Sequence, residues 1–157
     1  MGQPTAWVWS PDPLELYTPG GRKVDRESQP YAEVDVSRRP LIVVRVVGPL
    51  TKVGFATYLS ELERAIGANG RVALRVHGGS LGIFPPSYVR ESAEWLRTHD
   101  TLFTRNVTGA AFILDSPVLR MALRAILWAI PAPFPMVAFA SQREADAWLA
   151  GCLSATA

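Results

Sequence analysis

The stretch VTGAAFILDSPVLRMALRAILWAI, residues 107–130, decides how the chain is read. Residues 107–114 are uncharged and rich in apolar groups, the composition of a strand. Asp115-Ser116-Pro117 then starts a helix, with Ser116 as its cap and Pro117 in its first turn. Leu119, Ala122, Leu123, Ile126 and Ile130 recur at helical spacing and carry that helix to about Ile130. A strand running directly into an amphipathic helix is the repeating unit of an α/β sheet.

Moving toward the N-terminus, residues 71–76 predict a strand and residues 87–98 a helix that follows Pro85-Pro86, with Ser87 as its cap and Trp95 and Leu96 as its anchors. Phe55, Tyr58, Leu59, Leu62 and Ile66 share one face of a helix from Thr51 to about Ile66, closed by Gly67 and Asn69-Gly70. Before it, residues 41–47 are almost continuously apolar and β-branched, a central strand that Gly48-Pro49 ends. Ala32, Val34 and Val36 alternate with Glu33, Asp35 and Ser37, the pattern of a half-exposed strand at or near a sheet edge. Toward the C-terminus, residues 135–140 form a fifth strand, and Ser141-Gln142-Arg143-Glu144 spells a capping box before a helix through Leu153. The expected order is β-β-α-β-α-β-α-β-α: a single α/β domain with a mixed five-stranded sheet and four helices, since parallel crossovers need helices.

The regular pattern occupies residues 31–153, with a short tail at 154–157. Residues 1–30 read as an extended, Pro-rich arm holding five of the thirteen prolines. Trp7 and Trp9, two residues apart, would point to one side of such an arm. Two exposed indoles are costly, so the arm is expected to pack onto its own domain or onto a neighbouring subunit.

Composition narrows the function. The chain has 157 residues, 48% of them hydrophobic, enough for one substantial core. Sixteen basic and fourteen acidic residues leave a net charge of +2, with no concentrated basic face for nucleic acid. Its single cysteine, Cys152, excludes an internal disulfide and reads as a core thiol beside Ala145, Trp148 and Leu149. No secretory signal is visible at the N-terminus, which makes the cytoplasm the expected compartment. The apolar run 118–140 is interrupted by Arg120, Arg124 and three prolines, so no membrane span is expected.

With these residues in hand, 31–153 resembles the STAS-like domains, the fold of the anti-sigma-factor antagonists, and in particular their divergent SEC14/STAS branch. The segments that carry the resemblance are 107–115 (VTGAAFILD), 116–130 with Arg120, and 139–149 (FASQREADAWL). The resemblance implies a non-enzymatic domain acting through its surface in regulation or assembly, or, on its SEC14-like side, a carrier of an apolar ligand such as a lipid. Some relatives are switched by phosphorylation at the loop after the third strand. Here that loop reads Arg75-Val76-His77-Gly78-Gly79-Ser80, which lacks the acidic strand end, and Ser80 is the nearest hydroxyl for such a switch.

Gly78-Gly79-Ser80-Leu81-Gly82 also matches the nucleophile elbow G-x-S-x-G. An elbow needs its helix at once, whereas Ile83-Phe84-Pro85-Pro86 intervenes. His99, which alone follows Ser80, precedes Asp100 and Asp115, so the hydrolase order fails and a serine hydrolase at Ser80 ranks third. His77 and His99 have no carboxylate at ligand spacing, and GGSLG lacks the lysine of a phosphate loop, so neither a metal nor a cofactor is expected.

On the wheel of the 116–130 helix, the side opposite the sheet-facing residues carries Arg120, Met121, Arg124, Leu127 and Trp128. Large apolar groups flanked by arginines are enriched in interface cores. This face is the expected partner-binding surface, for a second copy or another protein, unless the arm with Trp7 and Trp9 covers it.

Overall fold

The computed structural model describes residues 30–68, 70–78 and 85–155. The expected arm, with Trp7 and Trp9, and the hydroxyl of Ser80 lie outside the described residues. In chain order the elements are β1 (Tyr31–Asp35), β2 (Leu41–Val47), α1 (Lys52–Gly67), β3 (Val72–His77), α2 (Pro86–Thr98), α3 (Asp100–Asn106), β4 (Val107–Ile113), α4 (Pro117–Ala129), β5 (Met136–Phe139) and α5 (Gln142–Ser154). Strand order in the sheet is β1-β2-β3-β4-β5. β1 is an edge strand antiparallel to β2, with Glu33 opposite Arg45, and the remaining pairs are parallel.

This sequential order fixes where the helices go. Three successive β-to-β crossovers advance across the sheet in one direction, and right-handed crossovers all advancing one way place their helices on one face. α1, α2 with α3, and α4 therefore share a face. Their side of the sheet buries Ile42, Val44 and Val46 of β2, Val72 and Leu74 of β3 and Ala110 of β4 against Leu62 and Ile66 of α1, Leu96 of α2 and Phe103 of α3. α5 follows the last strand, is bound by no crossover, and covers the opposite face, where Ala73, Ala111 and Ile113 meet Ala145 and Leu149.

The expected fold is present, with three local differences. A fifth helix, α3, occupies a segment that shows no helical period because only Leu102 and Phe103 of its seven residues are large and apolar. Its fully buried Phe103 packs against Trp95 and Phe134, and this packing rather than propensity holds so short a helix. Ser87 does not cap α2: Pro86 opens the helix after an extended Pro85, and no side-chain cap bond forms. At α5, Ser141 Oγ accepts from the Glu144 amide at 3.3 Å, but the Glu144 carboxylate accepts from the Ser141 hydroxyl rather than from its amide. The caps at Thr51 and Ser116 form as the sequence indicates.

Gly109 of β4 marks the tightest approach of α5. A Cβ there would stand 3.0 Å from Cys152 Sγ and 3.1 Å from the Trp148 ring, so any side chain makes these two give by a few tenths of an ångström. Cys152 itself is half-buried. Gly109→Ala is expected to destabilise the fold by about 1–3 kcal/mol, the usual range for overpacking. Urea unfolding measures it, and an unchanged midpoint would show that α5 yields freely.

Candidate functional site

The crossover helices do not fill the face they share. Between the sheet, α1, α2 and α4 lies a cavity of about 230 Å³. Val46, Leu74, Val76, Ala110 and Phe112 form its floor, and Leu119, Leu123, Ile126 and Leu127 of α4 form its roof. Phe55, Tyr58, Leu59 and Leu62 of α1 wall one side, and Val89, Ser92, Trp95 and Leu96 of α2 another. None of the described lining residues is charged.

The roof explains an oddity of α4. The helix has four large apolar residues on its inner side, yet no residue of it is buried. Among the described residues they border a partly open pocket instead of packed neighbours.

The wheel assigned Leu119, Ala122, Leu123, Ile126 and Ile130 to the inner side, and all five line the cavity. Of the residues assigned to the outer side, Met121 is 73% and Trp128 92% exposed. Leu127 instead lines the cavity, because it sits at the border of the two faces and α4 tilts it inward. Arg120 turns back on the helix start, donating to the carbonyls of Leu114 at 2.6 Å and Asp115 at 2.9 Å. Arg124 donates to the Ala138 carbonyl at 3.4 Å, toward β5. The structure thus separates the five residues into an exposed pair, two arginines bonded to nearby backbone, and one cavity wall. Val118, 75% exposed, belongs with the exposed pair. The cavity itself was not legible in the sequence, since apolar periodicity reports which side of a helix faces inward and not whether that side is filled.

Two hydroxyls enter this apolar lining, from Tyr58 and Ser92. Burial pushes the Tyr58 phenol up to about 12, because the phenolate would lose its hydration. It is therefore a neutral donor throughout the physiological range.

The opposite face holds a separate polar group. Arg75 of β3 is almost fully buried and donates to Asp146 of α5 at 2.7 Å. Arg75 Nε and His77 Nε2 are buried with no hydrogen-bond partner among the described residues. Desolvation holds His77 below its ordinary value, with the charges of Arg75 and Arg45 acting in the same direction. His99 meets Glu63 at 3.3 Å on the far side of the chain. Among the described residues no group of His, Cys, Asp and Glu could hold a metal, and no helix is long and apolar enough to cross a membrane.

With the fold and cavity defined, the chain can be set beside known proteins. It is similar to the crystal structure of an uncharacterized DUF3478-family protein with a SpoIIAA-like fold from Shewanella loihica PV-4, at a TM-score of 0.60 and 17% identity. The similarity covers 77% of this chain and 95% of that one. The fold is thus SpoIIAA-like, which is to say STAS-like, as the resemblance of residues 31–153 implied. No family model and no curated protein matches the sequence.

The depressed His77 has a consequence for stability. Its native state resists a proton that the unfolded chain accepts near 6.5, so its contribution is fully present above that pH and is lost as pH falls below it. Urea unfolding at pH 8 and pH 5 should show a larger loss on acidification for the parent than for His77→Gln. Equal losses in the two proteins would mean that His77 takes its proton freely in the fold.

Proposed function

We propose that this STAS-like domain is a non-catalytic module that binds an apolar ligand in the cavity beneath α4. The observation that carries this reading is the uncharged cavity of about 230 Å³, roofed by a helix that has no buried residue. A dry protein interior is packed nearly as densely as an organic crystal. A ligand that fills the space recovers contact energy otherwise forgone at α4. Of the two roles that the STAS-like resemblance implied, surface docking and ligand carriage, the cavity favours the second.

Toluene titrated into the full chain is expected to give saturable NMR shifts at the methyls of Val76, Leu123, Ile126 and Met136, which line the cavity. The methyls of Leu41 and Ile113, on the α5 face, should not move. Absence of any saturable shift at the first set would overturn the reading.

A second reading, self-association through α4, is favoured by a different observation. Val118, Met121, Ala125 and Trp128 are all exposed, and their spacing of three, four and three residues is that of the seam of a paired helix. Residues of this size left in water forgo about 1.5–3 kcal/mol each, and the same seam on a second copy would bury them around a twofold axis. Trp128→Glu should then lower the sedimentation-derived mass at high protein concentration while circular dichroism stays unchanged. Leu127 is left intact in this test because it walls the cavity. A parent that remains monomeric at all concentrations removes this reading.

A further inference from the structure

We propose that the cavity selects a neutral, single-ring aromatic group of about ten heavy atoms that carries one hydrogen-bond acceptor, and rejects anions. This deepens the ligand-binding reading above and rests on it.

Size sets the first limit. A dry apolar cavity of about 150 Å³ takes benzene. The present one, about 230 Å³, is half again as large and so admits about nine or ten heavy atoms. Pockets for drug-sized ligands begin at about 300 Å³, and a two-chain lipid is larger still.

Charge sets the second. The polar side chains of the described lining are the Tyr58 and Ser92 hydroxyls and the Trp95 indole, all uncharged. Among the described residues there is no arginine, lysine or histidine in the wall to compensate a buried carboxylate or phosphate, and an isolated charge is expelled from such surroundings. Aromatic shape is matched by Phe55, Tyr58, Trp95, Phe103, Phe112 and Phe134, which all line the space.

The acceptor follows from the hydroxyls. Neither Tyr58 Oη nor Ser92 Oγ donates to or accepts from another group among the described residues, although Tyr88, which stacks on Phe55 beside them, donates to the Leu50 carbonyl at 2.9 Å. A buried tyrosine hydroxyl ordinarily finds a partner. The phenol offers a donor, and the serine offers a second. A ligand carbonyl or ether oxygen placed between the α1 and α2 walls would satisfy what the protein leaves unpaired.

Three probes of nearly equal size separate these elements: propiophenone, butylbenzene and 3-phenylpropanoate, each titrated into the full chain by NMR at the methyls of Leu74, Leu123 and Ile126. Propiophenone is expected to bind about fivefold to tenfold more tightly than butylbenzene, the gain of one hydrogen bond to a desolvated donor. The carboxylate should give no saturable shift. In the double variant Tyr58→Phe with Ser92→Ala the ketone should lose its advantage while butylbenzene binds as before, which also reports an intact cavity. Equal binding of ketone and hydrocarbon by the parent, a ketone preference that survives in the double variant, or binding of the carboxylate as tight as that of the ketone would overturn this proposal and leave the cavity reading standing. Failure of all three probes would overturn the cavity reading itself.

Discussion

The sequential strand order β1-β2-β3-β4-β5 is the constraint on which the rest of the molecule depends. Each parallel pair needs a crossover, each crossover turns the same way, and the helices they carry crowd onto one face of a five-stranded sheet. α1 and α3 take the places where Val72, Leu74 and Val107 can be covered, and their side chains close that end of the core. α4, the last crossover helix, packs along β5 at the sheet's edge and shares the walls of one pocket with α1 and α2. The cavity is the space left between.

The helix that roofs it is built for such a position. Its inner leucines and isoleucines are apolar enough to keep it on the domain, while Arg120 and Arg124 tie it to backbone carbonyls at Leu114, Asp115 and Ala138. Ser116 caps its first turn. Anchored at its start and along one flank, α4 does not need full burial to stay helical. The same arrangement leaves Val118, Met121 and Trp128 facing water, so one helix carries both the ligand-facing wall and three of the four most exposed large apolar side chains of the described residues.

The α5 face solves the opposite problem. A single helix covers β3, β4 and β5, and it does so by close approach: small residues at Ala73, Gly109 and Ala111 admit Ala145, Leu149 and the Trp148 ring. Arg75 sits in the middle of that layer and is buried, so its charge must be met, and Asp146 meets it from α5. A pair with one partner buried and the other half-exposed contributes little net stability, but it penalises any register that leaves the buried arginine unmet. It fixes α5 along the sheet, whereas the hydrophobic contacts alone would tolerate sliding. Only α4 and its cavity are left loosely packed.

The amino-acid sequence by itself determined the strands and four of the five helices, because each spans enough residues for its apolar period, and caps such as Ser116-Pro117 and Thr51 mark the starts through local hydrogen bonds. The resemblance carried by 107–115, 116–130 and 139–149 pointed to the STAS-like fold for the same reason, since those segments are local patterns. α3 was illegible because seven residues hold too little period and depend on Phe103 finding Trp95 and Phe134 across the chain. The outer face of α4 was legible at Met121 and Trp128, but Leu127 at its border was assigned to water, since a wheel has no knowledge of tilt. Only tertiary structure decided the cavity. Its walls come from four helices and four strands far apart in sequence, and whether apolar surfaces that face one another also touch depends on the distances between elements, which no local pattern encodes.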